Sequence, residues 1–386
     1  MRTFLGVGCG PIQTGIFLLD AAESGAFGRS VVAEIDADLV AAVRAAGGIT
    51  INVASQTGIE TRTIPRVEAL NPTIPADRAA LVQAAALADE LATALPSVAA
   101  YPSIAPILAE GFDRAPDRPR LIYAAENVND AAERLEAAVR RLSTRSHLHT
   151  FYLNTVIGKM SRVVAAEELV QANLTPLTPG FARAHLVEAF NDILISDAHG
   201  LERGLTQLIE KRDLLPFEEA KLFGHNAIHA AIGSLALDKG LTMMAEAGAD
   251  RDIMDFAEHA FLDECGAALC RKWQGVDDLF TAEGFAAYAA DLLARMTNPH
   301  LRDTVARVCR DPERKLGWDD RLIGTMRLCL SQGIQPLRLA RIAALAARRL
   351  AATSDPAALR ARLFALWPSP WAAEQDRILR LIAMVG

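Results

Sequence analysis

The sequence predicts an α/β protein in two parts, an N-terminal doubly wound sheet and a C-terminal all-helical domain. Short β-rich runs alternate with helical patterns through the first half of the chain, which is typical of a mostly parallel sheet. From about Phe181 onward apolar residues recur at helical spacing, and Ala and Leu dominate. With 386 residues the chain is also longer than one typical core requires.

The elements of the first part follow in order. Thr3 to Val7 reads as a strand, followed by a glycine-rich turn and a helix that ends near Gly25. Ser30 to Ile35 reads as a second strand, followed by the Ala-rich helix DADLVAAVRAAGG. The runs ITINV and TRTIPRV suggest a hairpin or two edge strands, and further strands are expected in ADELATAL, RLIYAAEN and FYLNTVI. The segment LTPLTPG, at 174–180, carries two prolines and a glycine. We therefore expect domains at residues 1–180 and 181–386.

Composition narrows the class of protein. Hydrophobic residues make up 51% and charged residues 23%, as in soluble globular proteins. The net charge of −7 argues against a nucleic-acid partner, so an anionic substrate would need a local cluster of Lys and Arg. Five cysteines without a CxxC pair, and no signal peptide, favour reduced thiols in the cytoplasm. We expect no membrane span, and a monomer or a small homo-oligomer.

A glycine-rich turn predicts a nucleotide site. The run GVGCGPIQTG follows a strand and opens a helix, where backbone N–H groups can bind a pyrophosphate. This context predicts a Rossmann-type domain in which Gly8, Gly10, Pro11 and Ile12 contact the cofactor. Glu34, at the end of the second strand, can accept hydrogen bonds from ribose hydroxyls and would repel a 2′-phosphate, which favours NAD over NADP. A turn without a ligand and an adenosylmethionine site are the alternatives.

The run KLFGHNAIH in the helical part brings three polar groups together. On a regular helix Asn226 lies ~140° and His229 ~80° round from Lys221, so all three can face one cleft. A partly buried lysine loses some preference for its charged form and can serve as a base. Two alternatives remain: solvated surface residues, or a zinc helix using His225 and His229. In the latter, Asn226 replaces the glutamate that an HExxH motif needs.

These segments together resemble the polyol-specific long-chain dehydrogenases, the mannitol dehydrogenase family. The resemblance rests on the pattern K-x4-N-x2-H in a helical domain behind a dinucleotide fold. It extends in order over nearly the whole chain, through GVGCGPIQTG, AEID, ADELATALPSV, AAEN and TNPHLRDTVARVCRDPERKLGWDDRLIG. Two departures stand out. Gln13 occupies the position of the family's third glycine, and the run at 157–160 reads Ile-Gly-Lys-Met where the family has Val-Asp-Arg-Ile.

The resemblance implies a catalytic set that works without a metal. Lys221 would be the general base in alcohol oxidation and the general acid in the reverse direction. Asn127 and Asn226 would hold the reacting oxygen, and His229 would bind a substrate hydroxyl and help to orient the lysine. Ala94, in ADELATALPSV, would lie on the nicotinamide side of NAD.

The implied reaction is the NAD-dependent, reversible oxidation of a linear polyol or polyol phosphate, with mannitol 1-phosphate to fructose 6-phosphate as the first choice. An unphosphorylated hexitol such as mannitol, a sugar acid such as altronate, and a non-catalytic NAD-binding sensor are the alternatives. Glu218 and Glu219 would either relay the proton of the lysine to water or form a solvated acidic pair. Candidate partners for a phosphate are basic residues: Lys159, Arg295, His300, Arg314, Lys315 and Arg321.

Overall fold

The chain divides into two compact units, Met1–Leu215 and Pro216–Gly386. The structure is a computed structural model that describes residues 2–353, 355–369 and 372–385. The first unit contains all twelve strands that the described residues form: β1 (Arg2–Val7), β2 (Phe27–Ala33), β3 (Gly48–Ala54), β4 (Ile59–Pro65), β5 (Val67–Leu70), β6 (Glu90–Thr93), β7 (Arg120–Ala124), β8 (Thr150–Val156), β9 (Ser161–Ala165), β10 (Arg183–Glu188), β11 (Ile193–Ile195) and β12 (Leu208–Glu210).

The main sheet has the order β12-β11-β8-β7-β6-β1-β2-β5. Every pair from β5 through β2, β1, β6 and β7 to β8 is parallel, and only β11 runs antiparallel to its neighbour β8. The chain builds outward from β1 in one direction through β2, then returns and continues in the other direction through β6. This is the doubly wound order, and the predicted α/β fold class is confirmed.

Both faces of the main sheet are covered. Successive side chains of a strand point to opposite faces, and on β1 the fully buried Phe4 and Leu5 belong to two different apolar clusters. Such burial on both sides explains why the strands read as continuous β-rich runs.

A second sheet, of order β4-β3-β10-β9, lies in the same unit. Strands β3 and β4 form a hairpin, one of the two arrangements expected for them, and β10 pairs with β3 in parallel. The buried amide of Asn52 joins β3 to more distant chain. Its Nδ2 donates to the carbonyl oxygens of Thr175 and His185, at 2.8 and 3.2 Å, and its Oδ1 accepts from the Thr175 N–H at 2.9 Å.

Each of the first six helices lies between two strands in the chain, and the helices of the second unit follow one another without strands between them. The first six are α1 (Leu19–Glu23), α2 (Ala37–Ala46), α3 (Pro75–Leu87), α4 (Tyr101–Arg114), α5 (Ala131–Arg140) and α6 (Ala166–Gln171). The remainder are α7 (Leu215–Glu219), α8 (Asn226–Asp238), α9 (Met244–Ala249), α10 (Arg251–His259), α11 (Ala267–Lys272), α12 (Ala282–Met296), α13 (Val305–Cys309), α14 (Pro312–Lys315), α15 (Ile323–Ser331), α16 (Leu337–Ala351), α17 (Pro356–Leu366) and α18 (Ala373–Val385). Three wider π-helical turns also occur: Gln13–Leu18, Ala220–His225 and Ala260–Gly266.

Residues 181–215 differ from the expectation. We expected helices from 181 onward, but this stretch forms β10, β11 and β12, and the first unit extends to Leu215. The segment RAHLVE becomes a strand because β3 and β9 supply its hydrogen-bonding partners, and β3 lies more than a hundred residues away. No helix among the described residues is both long enough and apolar enough to cross a membrane.

Candidate active site

A cavity of about 650 Å³ in the first unit lies at the carboxyl ends of β1 and β2. Parallel sheets of this winding bind ligands beside the point where the strand order reverses, here between β1 and β6. The cavity is lined by all six residues that we expected to contact the cofactor: Gly8, Gly10, Pro11, Ile12, Glu34 and Ala94.

The glycine turn has the geometry that a dinucleotide needs. Gly8 has φ +84°, which L side chains rarely adopt, and a Cβ there would lie 2.7 Å from the Ala94 carbonyl oxygen. A Cβ added at Gly10 would meet no atom within 4 Å. No side chain therefore blocks the backbone where a pyrophosphate has to approach the start of the helix. The residues present fit NAD.

Glu34 is held at the wall of this cavity. Its two carboxylate oxygens accept hydrogen bonds from the N–H groups of Cys9 and Asp36, each at 2.9 Å. An ionised carboxylate offers about four acceptor positions, so further positions remain for ribose hydroxyls. The carboxylate also fixes the backbone of the turn to the end of β2.

Strand β10 supplies cavity residues that the sequence did not reveal. Arg183 forms an ion pair with Asp36, and its guanidinium lies 4.8 Å from the ring centroid of Phe181. The hydrogen bond from Arg183 lowers the pKa of Asp36. His185 Nδ1 lies 2.8 Å from Thr14 Oγ1, and burial lowers its pKa to about 3, so the ring is neutral. These residues were missed because β10 was expected to be helical.

Gln13, which replaces the third glycine, points away from the cavity into the fold. Its side chain is fully buried and packs on β1, where any Cβ at Gly6 would collide with its amide. Neither polar atom of that amide has a hydrogen-bond partner among the described residues. The departure therefore changes the packing beneath the turn and leaves the cavity lining unaltered.

Asn127 lies in the first unit, in the loop that follows β7, and is exposed. The preceding residue, Glu126, is buried and accepts three hydrogen bonds, from Thr93 Oγ1 and the Leu95 N–H at 2.9 Å and from the Tyr101 hydroxyl at 2.5 Å. These bonds fix the start of the loop that carries Asn127.

In the second unit, Lys221, Asn226 and His229 occupy one continuous helical segment. The turn Ala220–His225 is π-helical, and the Asn226 N–H donates to the Lys221 carbonyl five residues back. This wider turn places Asn226 on the same side of the helix as Lys221, which corrects the ~140° separation expected for a regular helix. Single π-helical turns often occur at functional sites.

Lys221 has a pKa well below the ordinary value of a lysine. Burial and the positive charge of Arg321 together lower its pKa to about 8, while Glu218 acts in the opposite direction. Glu219 accepts hydrogen bonds from Lys272 Nζ and Trp273 Nε1, at 2.7 and 2.8 Å. Of the two glutamates considered for a proton relay, Glu218 is therefore the one coupled to the lysine.

The histidine pair of the zinc alternative is part of this helix. Burial, together with the nearby His229 and Arg295, holds the pKa of His225 well below its ordinary value. The two histidine rings lie 6.2 Å apart, centroid to centroid. Within the described part of the chain, no group of three His, Cys, Asp or Glu side chains could hold a metal ion.

A second cavity, of about 110 Å³, lies beside Asn226 and His229 in the same unit. We call it the basic pocket, because five of its lining residues are cations and no carboxylate among the described residues lines it: Arg307, Arg310, Arg314, Lys315 and Arg321. Burial, then Arg321 and Arg314, lowers the pKa of Lys315 to about 8.

Three of the six basic residues named as phosphate partners line this pocket, and three lie elsewhere. Lys159 belongs to the first unit, where it is buried and donates to the Asn191 amide oxygen. Arg295 pairs with Asp291 at 3.0 Å, and His300 lies in a short turn outside the lining. Arg307 and Arg310 were missed, although both stand in the segment RVCRDPERK that carries the other cations.

Comparison with known sequences agrees with this arrangement. The family described as the mannitol dehydrogenase C-terminal domain matches residues 213–360. The mannitol-1-phosphate 5-dehydrogenase of Exiguobacterium sibiricum is 29% identical over 309 residues, covering 80% of this chain and 75% of the relative. The enzyme of the same name from Shouchella clausii is 31% identical over 290 residues, covering 73% and 71%. That of Brevibacillus brevis is 30% identical over 279 residues, covering 70% and 68%.

Two solved structures share the fold. The ternary complex of Pseudomonas fluorescens mannitol 2-dehydrogenase with NAD and D-mannitol gives a TM-score of 0.73 at 16% identity, covering all of this chain and 90% of that one. A substrate-free D-sorbitol dehydrogenase gives 0.72 at 12% identity, covering 90% and 80%. With a sequence match over most of its length and the corresponding fold, the chain belongs to the mannitol dehydrogenase family.

Proposed function

We propose that this protein is an NAD-dependent dehydrogenase that reversibly oxidises a secondary alcohol of a linear polyol phosphate to the ketose phosphate. Mannitol 1-phosphate and fructose 6-phosphate are the pair that we favour. The observation that carries the proposal is the basic pocket beside Asn226 and His229, on the helix that also bears a lysine with a lowered pKa. The names of the sequence relatives support the same substrate class.

In this proposal each unit has its own task. The first unit binds NAD in the cavity at the glycine turn, with Glu34 at the adenosine ribose. NAD held there would supply the acceptor for the hydride of the carbinol carbon. Lys221 takes the proton of the reacting hydroxyl in oxidation and returns it in reduction. The amide of Asn226 holds the reacting oxygen, in a reaction that proceeds without a metal.

The basic pocket suits an anionic end group on the substrate. Arginine presents a planar fork of N–H donors that matches phosphate or carboxylate geometry, and such charge-assisted hydrogen bonds are about twice as strong as neutral ones. A sugar acid such as altronate also ends in an anion, and for that reason it is the second candidate. An uncharged hexitol would bring no negative charge to a pocket where five cations meet, two of which, Arg307 and Arg321, are paired with Asp303 and Asp320.

Formation of NADH, followed by absorbance with a panel of polyols, tests the proposal. We expect turnover with mannitol 1-phosphate, a much lower kcat/KM with mannitol, and an intermediate value or none with altronate. A preference for unphosphorylated mannitol would contradict the assignment of the basic pocket. NAD binding without turnover of any member of the panel would favour the NAD-binding sensor.

The pH dependence of the oxidation should report on Lys221. The base must be unprotonated, so kcat/KM should rise with pH and level off above a midpoint near pH 8. Arg321→Gln removes a positive charge that lowers the pKa of Lys221, so the midpoint should move to higher pH. Glu218→Gln removes the opposing charge and should move it to lower pH. Identical midpoints in all three proteins would show that another group titrates.

Glu34 should set the affinity for the cofactor. Glu34→Gln keeps the shape but weakens the hydrogen bonds to the ribose, so we expect the Kd of NAD to rise by about tenfold. The loss of a negative charge should at the same time improve the binding of NADP relative to NAD. Titration of protein fluorescence measures both. Glu68→Gln is the matched control, because Glu68 pairs with Arg29 outside the cavity lining; an equal effect there would contradict the assignment.

A further inference from the structure

A buried carboxylate stands behind the histidine that we assign to substrate binding. Asp303 is 5% exposed, and its Oδ2 lies 3.3 Å from His229 Nε2. That nitrogen is buried and forms no hydrogen bond with any described group. The 3.3 Å contact with Asp303 is therefore close enough for an ion pair, and a small rotation of the ring would turn it into a hydrogen bond. Catalytic hydrogen bonds are often this long before substrate binds.

The carboxylate itself cannot turn away from the histidine. Arg307 binds it as a fork, with Nε donating to Oδ1 and Nη2 to Oδ2, both at 2.6 Å. The backbone of Asp303 is also fixed, because its carbonyl oxygen accepts from the Met244 N–H at 3.0 Å and the neighbouring Thr304 pairs with Met243. The position of Asp303 is therefore set from two directions, independently of His229.

The charge of Asp303 is equally well fixed. Burial alone would raise the pKa of this carboxyl, but His229 and Arg307 more than offset the effect and hold it well below the ordinary value. A permanent carboxylate facing Nε2 favours the imidazole tautomer that carries its proton on Nε2. Nδ1 is then the acceptor that the ring can offer to a hydroxyl group.

We propose that Asp303 is a positioning residue, which holds the ring and the tautomer of His229 so that this histidine can bind a hydroxyl of the substrate. Arg307, which lines the basic pocket, holds Asp303 in turn and so connects that pocket to α8, the helix that carries His229. The inference rests on the proposed function, since it assigns Asp303 a role only through His229.

A double-mutant cycle tests this role. The variants are Asp303→Asn, His229→Ala and the combination, measured with mannitol 1-phosphate and NAD. We expect Asp303→Asn alone to lower kcat/KM by about 10- to 100-fold, the effect of a hydrogen bond to a charged group. In the His229→Ala background the same change should cost about threefold or less, because residues that act as a unit are not additive.

The controls separate positioning from folding. The Kd of NAD and the thermal midpoint should stay close to those of the unmodified protein. If Asp303→Asn does not fold, Asp303→Glu takes its place in the cycle, because it retains the charge and the Arg307 partner. Asp291→Asn, which removes a carboxylate from another i,i+4 pair with an arginine, should leave kcat/KM unchanged.

The outcomes are distinct. If Asp303→Asn lowered kcat/KM by the same factor with and without His229, the positioning role would be overturned, because Asp303 would then act independently of His229. Failure of the unmodified protein to form NADH would instead overturn the proposed function before any variant is compared.

Discussion

Replacing Lys221 with Ala should lower kcat for polyol oxidation by about 10²- to 10⁴-fold, the usual contribution of a general base. The physical reason is the environment of this side chain. Burial and Arg321 together bring its pKa to about 8, so that a useful fraction is unprotonated near neutral pH. Alanine can neither accept the hydroxyl proton nor return it. Steady-state kinetics with mannitol 1-phosphate and NAD provide the measurement.

Binding of NAD should be nearly unaffected by the same substitution, because the cavity assigned to the cofactor is lined by residues of the first unit. Lys239→Ala is the matched control: this lysine lies in the same unit and pairs with Asp250 at the protein surface. Unchanged turnover in Lys221→Ala would refute the proposed base. Equal losses in both lysine variants would indicate a general effect on the fold.

The second large effect is expected in the basic pocket. Arg310→Ala combined with Arg314→Ala should reduce kcat/KM for mannitol 1-phosphate by about 10²- to 10⁴-fold, at roughly 1.5–3 kcal/mol for each charged hydrogen bond lost. Activity on unphosphorylated mannitol, however low, should change far less. Arg321 is left in place because it also lowers the pKa of Lys221.

The ratio of the two kcat/KM values is the quantity to measure, since it cancels general effects on the helical segment that carries Lys221. Arg251→Ala, an exposed arginine at the start of α10, serves as the control. A ratio that stays constant when Arg310 and Arg314 are removed would show that the phosphate is bound elsewhere, or that the natural substrate carries no phosphate.

The elements that depend on local pattern could be predicted from the sequence. The strand, glycine turn and helix around Gly8 and Gly10, and the acidic residue at 34, are encoded by neighbouring residues, so their places in one cavity could be anticipated. The hairpin of β3 and β4 is equally local, and so is the helical segment that carries Lys221 and His229.

Other features arise from contacts between distant residues. Strand β10 forms because β3 and β9 offer hydrogen-bonding partners, and with it Arg183 and His185 enter the cofactor cavity. The buried pairing of Asp303 with Arg307 and His229 depends on how α8 and the segment before α13 pack. Nothing in the spacing of these residues distinguishes them from ordinary surface charges.

The π-helical turn at Ala220–His225 determines how the segment that carries Lys221 would absorb a change in length. Such a turn contains one residue more than a regular turn. Removal of a single residue, such as Leu222, would leave Lys221 and Asn226 four residues apart on a regular helix, ~40° from each other and so still on one side. Conversion to a regular helix without removal of a residue would instead separate them by ~140°. The segment should therefore tolerate a one-residue deletion better than a straightened helix of full length.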